Sequence, residues 1–439
     1  MGGIAQLARA LGHKVTGSDV NIYPPMSNHL EQAGIPILEG YSAAHLSPQP
    51  DLVLIGNALS RGNEAVEYVL ANGIHYDSGA GWLRHALLRD KRVVAVAGTH
   101  GKTTTTSLIA WILEANGYQP GYLIGGLANN FDLTAAIGNS DLFVIEADEY
   151  DTAFFDKRSK FVHYQADIFV INNLEFDHAD IFDNLADIRR QFHHAIRTVP
   201  SNGLVVANVD GPEVEKTIAM GCWTPVQTFA ATTQAAWRLS ATGDDGYSLT
   251  HDGKEVAQFS PPIPGLHNAL NTTAAVIACG ELGLSVDQCL KALESFKGVK
   301  RRLDNFATVR GISLYDDFAH HPTAIQATLS ALKTLKGQGR ALCVLEPRSN
   351  TMRDGTHQNA LESAFEDADL VYLYQPADLQ WDLAKTAAGI GTNCSIHSDL
   401  NDLIESVSNA AKRGDHVVIM SNGGFEGLHQ KLREQLTSV

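Results

Sequence analysis

A short sequence near the end of the first quarter of the chain has the residue types and order of a phosphate-binding loop. The apolar run Val93 to Ala97 leads into a glycine turn that ends in Lys102-Thr103 and opens a helix. Such a turn leaves backbone N–H groups free, while the helix N-terminus and Lys102 add positive charge. The Thr103 hydroxyl is a group that a phosphate-bound Mg²⁺ can use as a ligand. We predict that these residues bind nucleotide phosphates: Gly98, Thr99, His100, Gly101, Lys102, Thr103 and Thr104.

The loop departs in one respect from the common motif, in which a glycine and four further residues precede Gly-Lys-Thr. That spacing places a glycine at position 96, where this chain has Val96, and the first glycine comes only at Gly98. The loop is therefore a shorter variant. The alternative is a glycine-rich turn with a solvated lysine, but the strand before it and the helix after it favour nucleotide binding.

Two further apolar strands run into acid-rich loops. Leu142–Ile145 is followed by Glu146-Ala147-Asp148-Glu149, and Ile168–Ile171 is followed by a segment that ends in Asp177-His178. Carboxylates and a histidine at the carboxyl ends of parallel strands, beside a phosphate loop, are placed to hold Mg²⁺. Acidic surface loops are common, yet two in succession after apolar strands favour a metal site.

A later helix opens on Gly265 and continues to Gly280. Asn268 and Asn271 lie three residues apart in it and so share one face. Their amides can pair with the edge of an adenine. The alternative is that asparagine simply favours the start of a helix.

The C-terminal third repeats the pattern of apolar strands that end in polar loops. This repetition predicts a second ligand-facing crevice in a doubly wound domain. The predicted strands are Ile312–Tyr315, Ala341–Leu345, Leu370–Tyr374 and His416–Met420, and the polar loops include 316–322, 346–350 and 421–424.

The first 90 residues or so predict a small doubly wound unit. A strand at Lys14–Thr16 runs into Asp19, which is a candidate contact to a nucleotide ribose or, alternatively, a helix cap. Met1-Gly2-Gly3 leads directly into a helix. Because such a unit begins with a central strand and a glycine turn, we expect both to lie upstream of Met1.

Length and composition set the class of protein. The length of 439 residues allows two to four domains. The grouping of strands and motifs along the chain predicts three in an α/β protein: an N-terminal Rossmann-like domain at 1–88, a central P-loop domain at 89–300 and a C-terminal Rossmann-like domain at 301–439. The net charge of −16 repels nucleic acid. No apolar run reaches the ~20 residues of a membrane span. The five cysteines are scattered without a C-x-x-C pair, which favours reduced thiols and a cytoplasmic location.

Five motifs, in this order, resemble those of the Mur ligases that build peptidoglycan precursors. The resemblance covers nearly the whole chain and implies a three-domain fold with an N-terminal UDP-binding domain and a central ATPase domain. The motifs are Gly98–Thr104, Glu146–Glu149, Asn173–His178, Gly265–Asn271 and Asp316–Pro322.

Within the family, the segment from Glu146 to Phe161 resembles the branch that recycles murein peptides. That branch joins UDP-N-acetylmuramate to the tripeptide L-Ala-γ-D-Glu-meso-diaminopimelate. The branch that adds L-alanine in de novo synthesis usually has serine in place of Tyr150. The segments 346–350 and 421–425 also resemble the recycling branch.

The resemblance implies ATP and Mg²⁺ as cofactors and assigns a role to each candidate residue. Lys102, Glu146 and His178 would be catalytic, with Thr103 and Glu146 on a first Mg²⁺ and His178 on a second cation. The remaining assignments are His267, Asn268 and Asn271 to adenine, Arg302 and Asp317 to ATP, Asp19 to the UDP-sugar, and His320, Arg348 and Asn350 to the acceptor peptide.

Three other functions remain open on the sequence. They are a UDP-N-acetylmuramate–L-alanine ligase, a nucleotide-dependent oxidoreductase suggested by the dinucleotide-like first unit, and a nucleotide-switch binding module. The Gly-Lys-Thr loop and the absence of a hydride-transfer motif argue against the oxidoreductase. We expect small-molecule substrates only, and a monomer or weak homo-oligomer.

Overall fold

The computed structural model describes residues 1–20, 22, 26–178, 181–243, 246–335 and 337–438. Within these residues the strands form a ten-stranded sheet, a six-stranded sheet and three two-stranded sheets, with helices packed against them. The α/β class predicted from the sequence is confirmed.

In the part of the N-terminal unit that the structure describes, there are four short strands and four α-helices. They are β1 Gly17–Asp19, β2 Ile37–Glu39, β3 Val53–Ile55, β4 Tyr76–Ser78, α1 Gly2–Ala10, α2 Met26–Gln32, α3 Glu64–Ala71 and α4 Gly79–Ala86.

The strands of this unit pair in two separate parallel sheets, β1 with β2 and β3 with β4. The predicted strand at Lys14–Thr16 is wrong by three residues. Pairing begins where the Gly17 N–H donates to the Pro36 carbonyl, at 3.0 Å, and Gly17 lies opposite Ile37. The strand expected upstream of Met1 stays a prediction.

The central unit carries the ten-stranded sheet. The strands of that sheet are β5 Arg92–Ala97, β6 Gly121–Leu123, β7 Ala135–Ala136, β8 Leu142–Glu146, β11 Ile168–Ile171, β12 Leu204–Asn208, β13 Val226–Ala230, β14 Trp237–Ala241, β15 Tyr247–His251 and β16 Lys254–Phe259. Strands β9 Asp151–Ala153 and β10 Asp156–Ser159 pair with each other in a separate two-stranded sheet of this unit. Its helices are α5 Lys102–Ala115, α6 Phe161–Tyr164, α7 Leu185–Ile196, α8 Pro212–Ala219, α9 Leu266–Glu281 and α10 Val286–Leu293.

The sheet order is β16-β15-β14-β13-β12-β11-β5-β8-β6-β7, with a parallel block from β14 to β6. Strands β5, β8 and β11 are nearly continuous apolar runs because helices cover both faces of the sheet. Side chains of α5 and α9 pack on one face, and those of α6 and α7 pack on the other. The three strands are neighbours, so the loops at their carboxyl ends meet.

The C-terminal unit carries the six-stranded sheet. Its elements are β17 Asp304–Val309, β18 Ile312–Asp317, β19 Ala341–Leu345, β20 Leu370–Tyr374, β21 Cys394–His397, β22 His416–Met420, α11 Pro322–Leu335, α12 Asn350–Arg353, α13 Gln358–Leu361, α14 Leu383–Ile390, α15 Leu400–Ala410 and α16 Leu428–Ser438.

The order of this sheet is β17-β18-β22-β19-β20-β21, and all pairs except β17 with β18 are parallel. The adjacent strands β18, β22 and β19 therefore deliver three polar loops to one edge, as the sequence predicts.

Among the described residues, no helix combines the length and apolar character that a membrane crossing requires.

Candidate functional site

The phosphate loop folds as a tight turn between β5 and α5. Gly98 and Gly101 have φ angles of 139° and 79°, in the region that favours glycine. A Cβ atom on Gly98 would lie 3.1 Å from the Asn173 backbone nitrogen, and one on Gly101 would lie 2.5 Å from Asn271 Oδ1. Helix α5 begins at Lys102. The two glycines thus meet both a conformational and a steric requirement.

A buried ion-pair network fixes the Lys102 side chain. Its Nζ atom donates to the Gly98 carbonyl at 2.7 Å and to Glu149 Oε2 at 2.9 Å. The other carboxylate oxygen of Glu149 lies 3.2 Å from His178 Nε2, and the Glu149 side chain is only 3% exposed. Glu149 therefore links the side chains of Lys102 and His178, two of the residues predicted to be catalytic.

The charges of this network reinforce one another. Burial opposes the ionised form of Glu149, but Lys102 and His178 outweigh it and lower the pKa of that carboxyl to about 2. Against the same burial, Glu149 raises the pKa of Lys102 and of His178. Sequence analysis gave Glu149 no role. The signal that could have identified it was its position as the last residue of the acidic motif Glu146–Glu149.

The second part of the site is built around Thr103 and Glu146. The Thr103 hydroxyl donates to Glu146 Oε1 at 2.9 Å, and the Gly125 N–H donates to Glu146 Oε2 at 2.7 Å. A hydroxyl and a carboxylate at the carboxyl end of β8 are oxygen donors of the kind that Mg²⁺ prefers. Thr103 and Glu146 therefore have the ligand atoms that the predicted metal site requires. Their metal role and that of His178 stay predictions.

The C-terminal unit reaches this site through Arg302. Its Nη2 atom donates to the Thr103 hydroxyl at 3.2 Å, and its guanidinium lies 4.9 Å from the centre of the Phe318 ring. Burial lowers the pKa of Arg302 and raises that of Asp317, while their mutual attraction opposes both shifts. Arg302 thus connects the C-terminal sheet to the phosphate loop.

Asp317 is buried and accepts three hydrogen bonds from neighbouring residues. Its carboxylate accepts the Leu303 N–H at 2.6 Å, the Ala319 N–H at 2.8 Å and the Thr328 hydroxyl at 3.2 Å. These bonds hold the segment after Arg302 in place. Its predicted contact to ATP stays a prediction.

The two asparagines of α9 belong to a buried chain of amides. Asn172 Nδ2 donates to Asn271 Oδ1 at 3.3 Å, and Asn271 Nδ2 donates to Asn268 Oδ1 at 3.2 Å. Asn268 Nδ2 donates in turn to the Pro264 carbonyl at 2.9 Å, and Asn172 also reaches Thr105. The chain ties α9 to the end of β11 and to α5.

The predicted adenine contacts of His267, Asn268 and Asn271 stay predictions. Burial, together with the nearby charges of His100 and Arg302, lowers the pKa of His267 to about 4. This imidazole is therefore neutral beside the phosphate loop.

The other loop residues bind to the loop after β11. Thr99 Oγ1 accepts the Glu175 N–H at 2.9 Å, and the His100 N–H donates to Asn173 Oδ1 at 2.8 Å. Thr104 is buried in the first turn of α5. The loop is thus fastened to β11 on one side and opens α5 on the other.

The predicted acceptor residues lie at the edge of the C-terminal sheet. Glu346 is buried and accepts the Ser421 hydroxyl at 2.5 Å. The Arg348 guanidinium lies 3.8 Å from Glu346 and is 43% exposed. Asn350 begins α12, while His320 Nδ1 lies 2.8 Å from the Phe318 carbonyl. Glu346 and Ser421 were not singled out from the sequence.

Asp19 lies apart from this group, at the carboxyl end of β1. Its carboxylate accepts the Tyr41 hydroxyl at 3.1 Å and the Val20 N–H at 2.7 Å, ahead of α2. A contact between Asp19 and a nucleotide stays a prediction.

Three family models match consecutive parts of the chain. The model described as "Mur ligase family, catalytic domain" matches residues 1–91, "Mur ligase middle domain" matches 96–279, and "Mur ligase, glutamate ligase domain" matches 301–423.

Comparison with known proteins gives the same family. A UDP-N-acetylmuramate–L-alanyl-γ-D-glutamyl-meso-2,6-diaminoheptandioate ligase of Haemophilus influenzae is 47% identical over 99% of this chain and 96% of its own length. A UDP-N-acetylmuramate–L-alanine ligase of Bartonella henselae is 32% identical over 97% of this chain and 91% of its own. The crystal structure of a murein peptide ligase from Psychrobacter arcticus aligns with a TM-score of 0.76 and 42% identity, covering 100% of this chain and 97% of that one.

A phosphate loop tied to two acidic loops, an arginine that reaches it from a third unit, and matches along the whole length lead to one conclusion: this chain belongs to the Mur ligase family.

Proposed function

We propose that this protein is an ATP-dependent ligase that joins UDP-N-acetylmuramate to the tripeptide L-Ala-γ-D-Glu-meso-diaminopimelate in murein recycling. The observation that carries the proposal is the 47% identity, over 99% of the chain, to a relative named for this donor and peptide. Identity to the L-alanine ligase is 32%. The shared site supports the reaction class, and the higher identity supports the peptide acceptor.

The proposed reaction has two steps. The lactyl carboxylate of the donor takes the γ-phosphoryl group of ATP, which gives an acyl phosphate and ADP. The peptide amine then displaces phosphate and forms the amide. Phosphoryl transfer of this kind depends on positioning and charge neutralisation more than on covalent help from the protein.

The residues of the phosphate loop supply that positioning. Lys102 is held at the loop by the Gly98 carbonyl and Glu149, so that its charge is available to the β- and γ-phosphates. Arg302 brings a second positive charge to Thr103 from the C-terminal unit. Preorganised charges cost little reorganisation when negative charge develops in the transition state.

Thr103 and Glu146 would hold the Mg²⁺ ion, and His178 a second cation. When bound, the metal neutralises phosphate charge and orients the γ-phosphate. His178 must lose its proton before it can ligate a metal, and the carboxylate of Glu149 opposes that loss.

The acceptor would bind at the edge of the C-terminal sheet. The exposed guanidinium of Arg348 suits a carboxylate of the peptide, because arginine can bind carboxylates through two parallel hydrogen bonds. Asn350 and His320 would complete this face. The UDP part of the donor would lie on the N-terminal unit near Asp19. We propose domain bounds of 1–88, 89–300 and 301–439.

We also propose a cytoplasmic location and a monomer or weak homo-oligomer. The test is phosphate release from ATP by the purified protein with UDP-N-acetylmuramate and the tripeptide, each omitted in turn. Fast release should require both substrates and Mg²⁺. Release that does not depend on the tripeptide would contradict the proposal.

A further inference from the structure

A cluster of three side chains lies beside the nucleotide site. One of them, His100, is also in the predicted phosphate loop, whereas the proposed reaction gives no role to Glu175 or His321. His100 belongs to the phosphate loop, Glu175 to the loop after β11, and His321 to the loop before α11. Glu175 Oε2 lies 3.7 Å from His100 Nε2 and 3.8 Å from His321 Nδ1, and all three atoms lie within 4.8 Å of one another. The cluster therefore joins the central and the C-terminal units.

The spacing is close to that of a tetrahedral metal site. With Zn–N and Zn–O bonds of about 2.0–2.2 Å, ligand atoms of a tetrahedral site are separated by roughly 3.3–3.6 Å. The two distances to Glu175 exceed this range by only a few tenths of an ångström. The two histidine nitrogens lie within 4.8 Å of each other, so side-chain rotations that bring them closer together would place all three atoms on one ion.

The protonation states are also those of metal ligands. Burial, with repulsion from His100 and His357, lowers the pKa of His321 to about 3, so this imidazole is neutral at neutral pH. The pKa of Glu175 is lowered to about 2, against burial, by His100 and the Thr323 hydroxyl. Metal binding requires a neutral imidazole and an ionised carboxylate, and the cluster presents both.

Hydrogen bonding decides which nitrogens can bind an ion. The Thr323 N–H donates to His321 Nδ1 at 3.3 Å, so this nitrogen is unprotonated, and an ion bound there would replace that long hydrogen bond. His100 Nε2 is buried and has no hydrogen-bond partner among the described residues. The Thr323 hydroxyl donates to Glu175 Oε2 at 2.7 Å and orients the carboxylate, as partners of metal ligands commonly do.

We propose that His100, Glu175 and His321 form a binding site for a borderline-soft divalent cation of the Zn²⁺ class, distinct from the oxygen-donor site at Thr103 and Glu146. Two imidazoles and one carboxylate select Zn²⁺ over Mg²⁺, which prefers oxygen ligands. The side chains of His100 and Glu175 are 20% and 35% exposed, which gives an ion access from solvent. A bound ion would tie the phosphate loop to the C-terminal unit and slow any cycle that requires the two to separate.

The test is a titration of the full-length protein with Zn²⁺ alone, without nucleotide, in excess Mg²⁺ that fills the oxygen-donor site. Competition with a chromophoric chelator gives affinity and stoichiometry, and Co²⁺ substitution gives a visible spectrum that reports tetrahedral geometry. Glu175→Gln and His321→Gln each remove one ligand and should weaken binding by at least ~10-fold. His163→Gln is the matched control, since His163 is also half-buried and faces a single carboxylate, Asp156, at 3.0 Å.

Saturable binding of one Zn²⁺ per chain that both ligand variants weaken, and that the control preserves, is the expected result. Circular dichroism checks that each variant is folded, and if His321→Gln is not, the near-isosteric Glu175→Gln decides. Equal affinity of Glu175→Gln and the unmodified chain would overturn the site. Equal weakening in His163→Gln would overturn it too.

Discussion

The carboxyl edges of the central and C-terminal sheets differ in how their charged groups are held. At the central edge, Lys102 is 12% exposed and Glu149 3% exposed, and each is paired with an opposite charge. At the C-terminal edge, Arg348 is 43% exposed and lies 3.8 Å from the nearest carboxylate oxygen of Glu346. The groups assigned to phosphate chemistry are thus preorganised, while a group assigned to the acceptor is more exposed and lies farther from its carboxylate partner.

This difference separates the two parts of the proposed function. Buried, mutually paired charges hold their geometry before substrate arrives, which suits transition-state stabilisation. An exposed arginine contributes chiefly when a carboxylate binds it. Changes at the central edge should therefore reduce turnover, and changes at the C-terminal edge should alter the affinity for the acceptor.

The largest effect is expected from Lys102→Ala. Loss of the charge at the phosphate loop should reduce kcat by at least ~10²-fold, with a smaller effect on donor binding. Steady-state phosphate release measures it, with Lys216→Ala as a control on an exposed lysine that pairs with Glu213. Near-normal turnover of Lys102→Ala would show that the loop does not act on phosphate.

Glu146→Gln should act on the metal. Replacing a charged oxygen donor with a neutral one should raise the Mg²⁺ concentration for half-maximal activity by about 10-fold or more. A Mg²⁺ titration of activity at saturating ATP measures this change. An unchanged requirement would remove Glu146 from the metal site.

At the other edge, Arg348→Ala should raise the KM for the tripeptide by about 10-fold and leave the KM for UDP-N-acetylmuramate unchanged. Arg433→Ala, on an exposed position of α16, is the control. A fall in kcat with an unchanged tripeptide KM would assign Arg348 to the chemical step, and the contrast between the two edges would not hold.

The smallest effect concerns pH. Because Glu149 raises the pKa of His178, raising the pH should free its imidazole and lower the Mg²⁺ concentration required, by at most ~10-fold per pH unit for one released proton. In Glu149→Gln this dependence should move to lower pH, since His178 loses the carboxylate that favours its charged form. A Mg²⁺ requirement with no pH dependence in either protein would exclude His178 as a metal ligand.

Several strands that lead to the two edges could be predicted from the sequence alone. The strands β11, β19, β20 and β22 have their predicted bounds, because each is a short apolar run that ends at a polar loop. The carboxyl-end loops follow from this pattern.

Sequence analysis missed the contacts between residues that are far apart in the chain. Glu149 between Lys102 and His178, Glu346 bound to Ser421, and His321 beside Glu175 all depend on the three-dimensional arrangement of strands. The start of β1 was also missed, because local residue preference does not set the register in which Gly17 meets Ile37. Spacing along one strand and loop predicts a motif, whereas pairing across strands requires the fold.

The most direct test of the central claim compares two acceptors under identical conditions. ATP-dependent phosphate release is measured with UDP-N-acetylmuramate and either L-Ala-γ-D-Glu-meso-diaminopimelate or L-alanine, and the product is identified by mass. We predict a higher kcat/KM for the tripeptide, with the corresponding amide formed. A higher kcat/KM for L-alanine would contradict the assignment and identify the protein as a ligase of the de novo pathway.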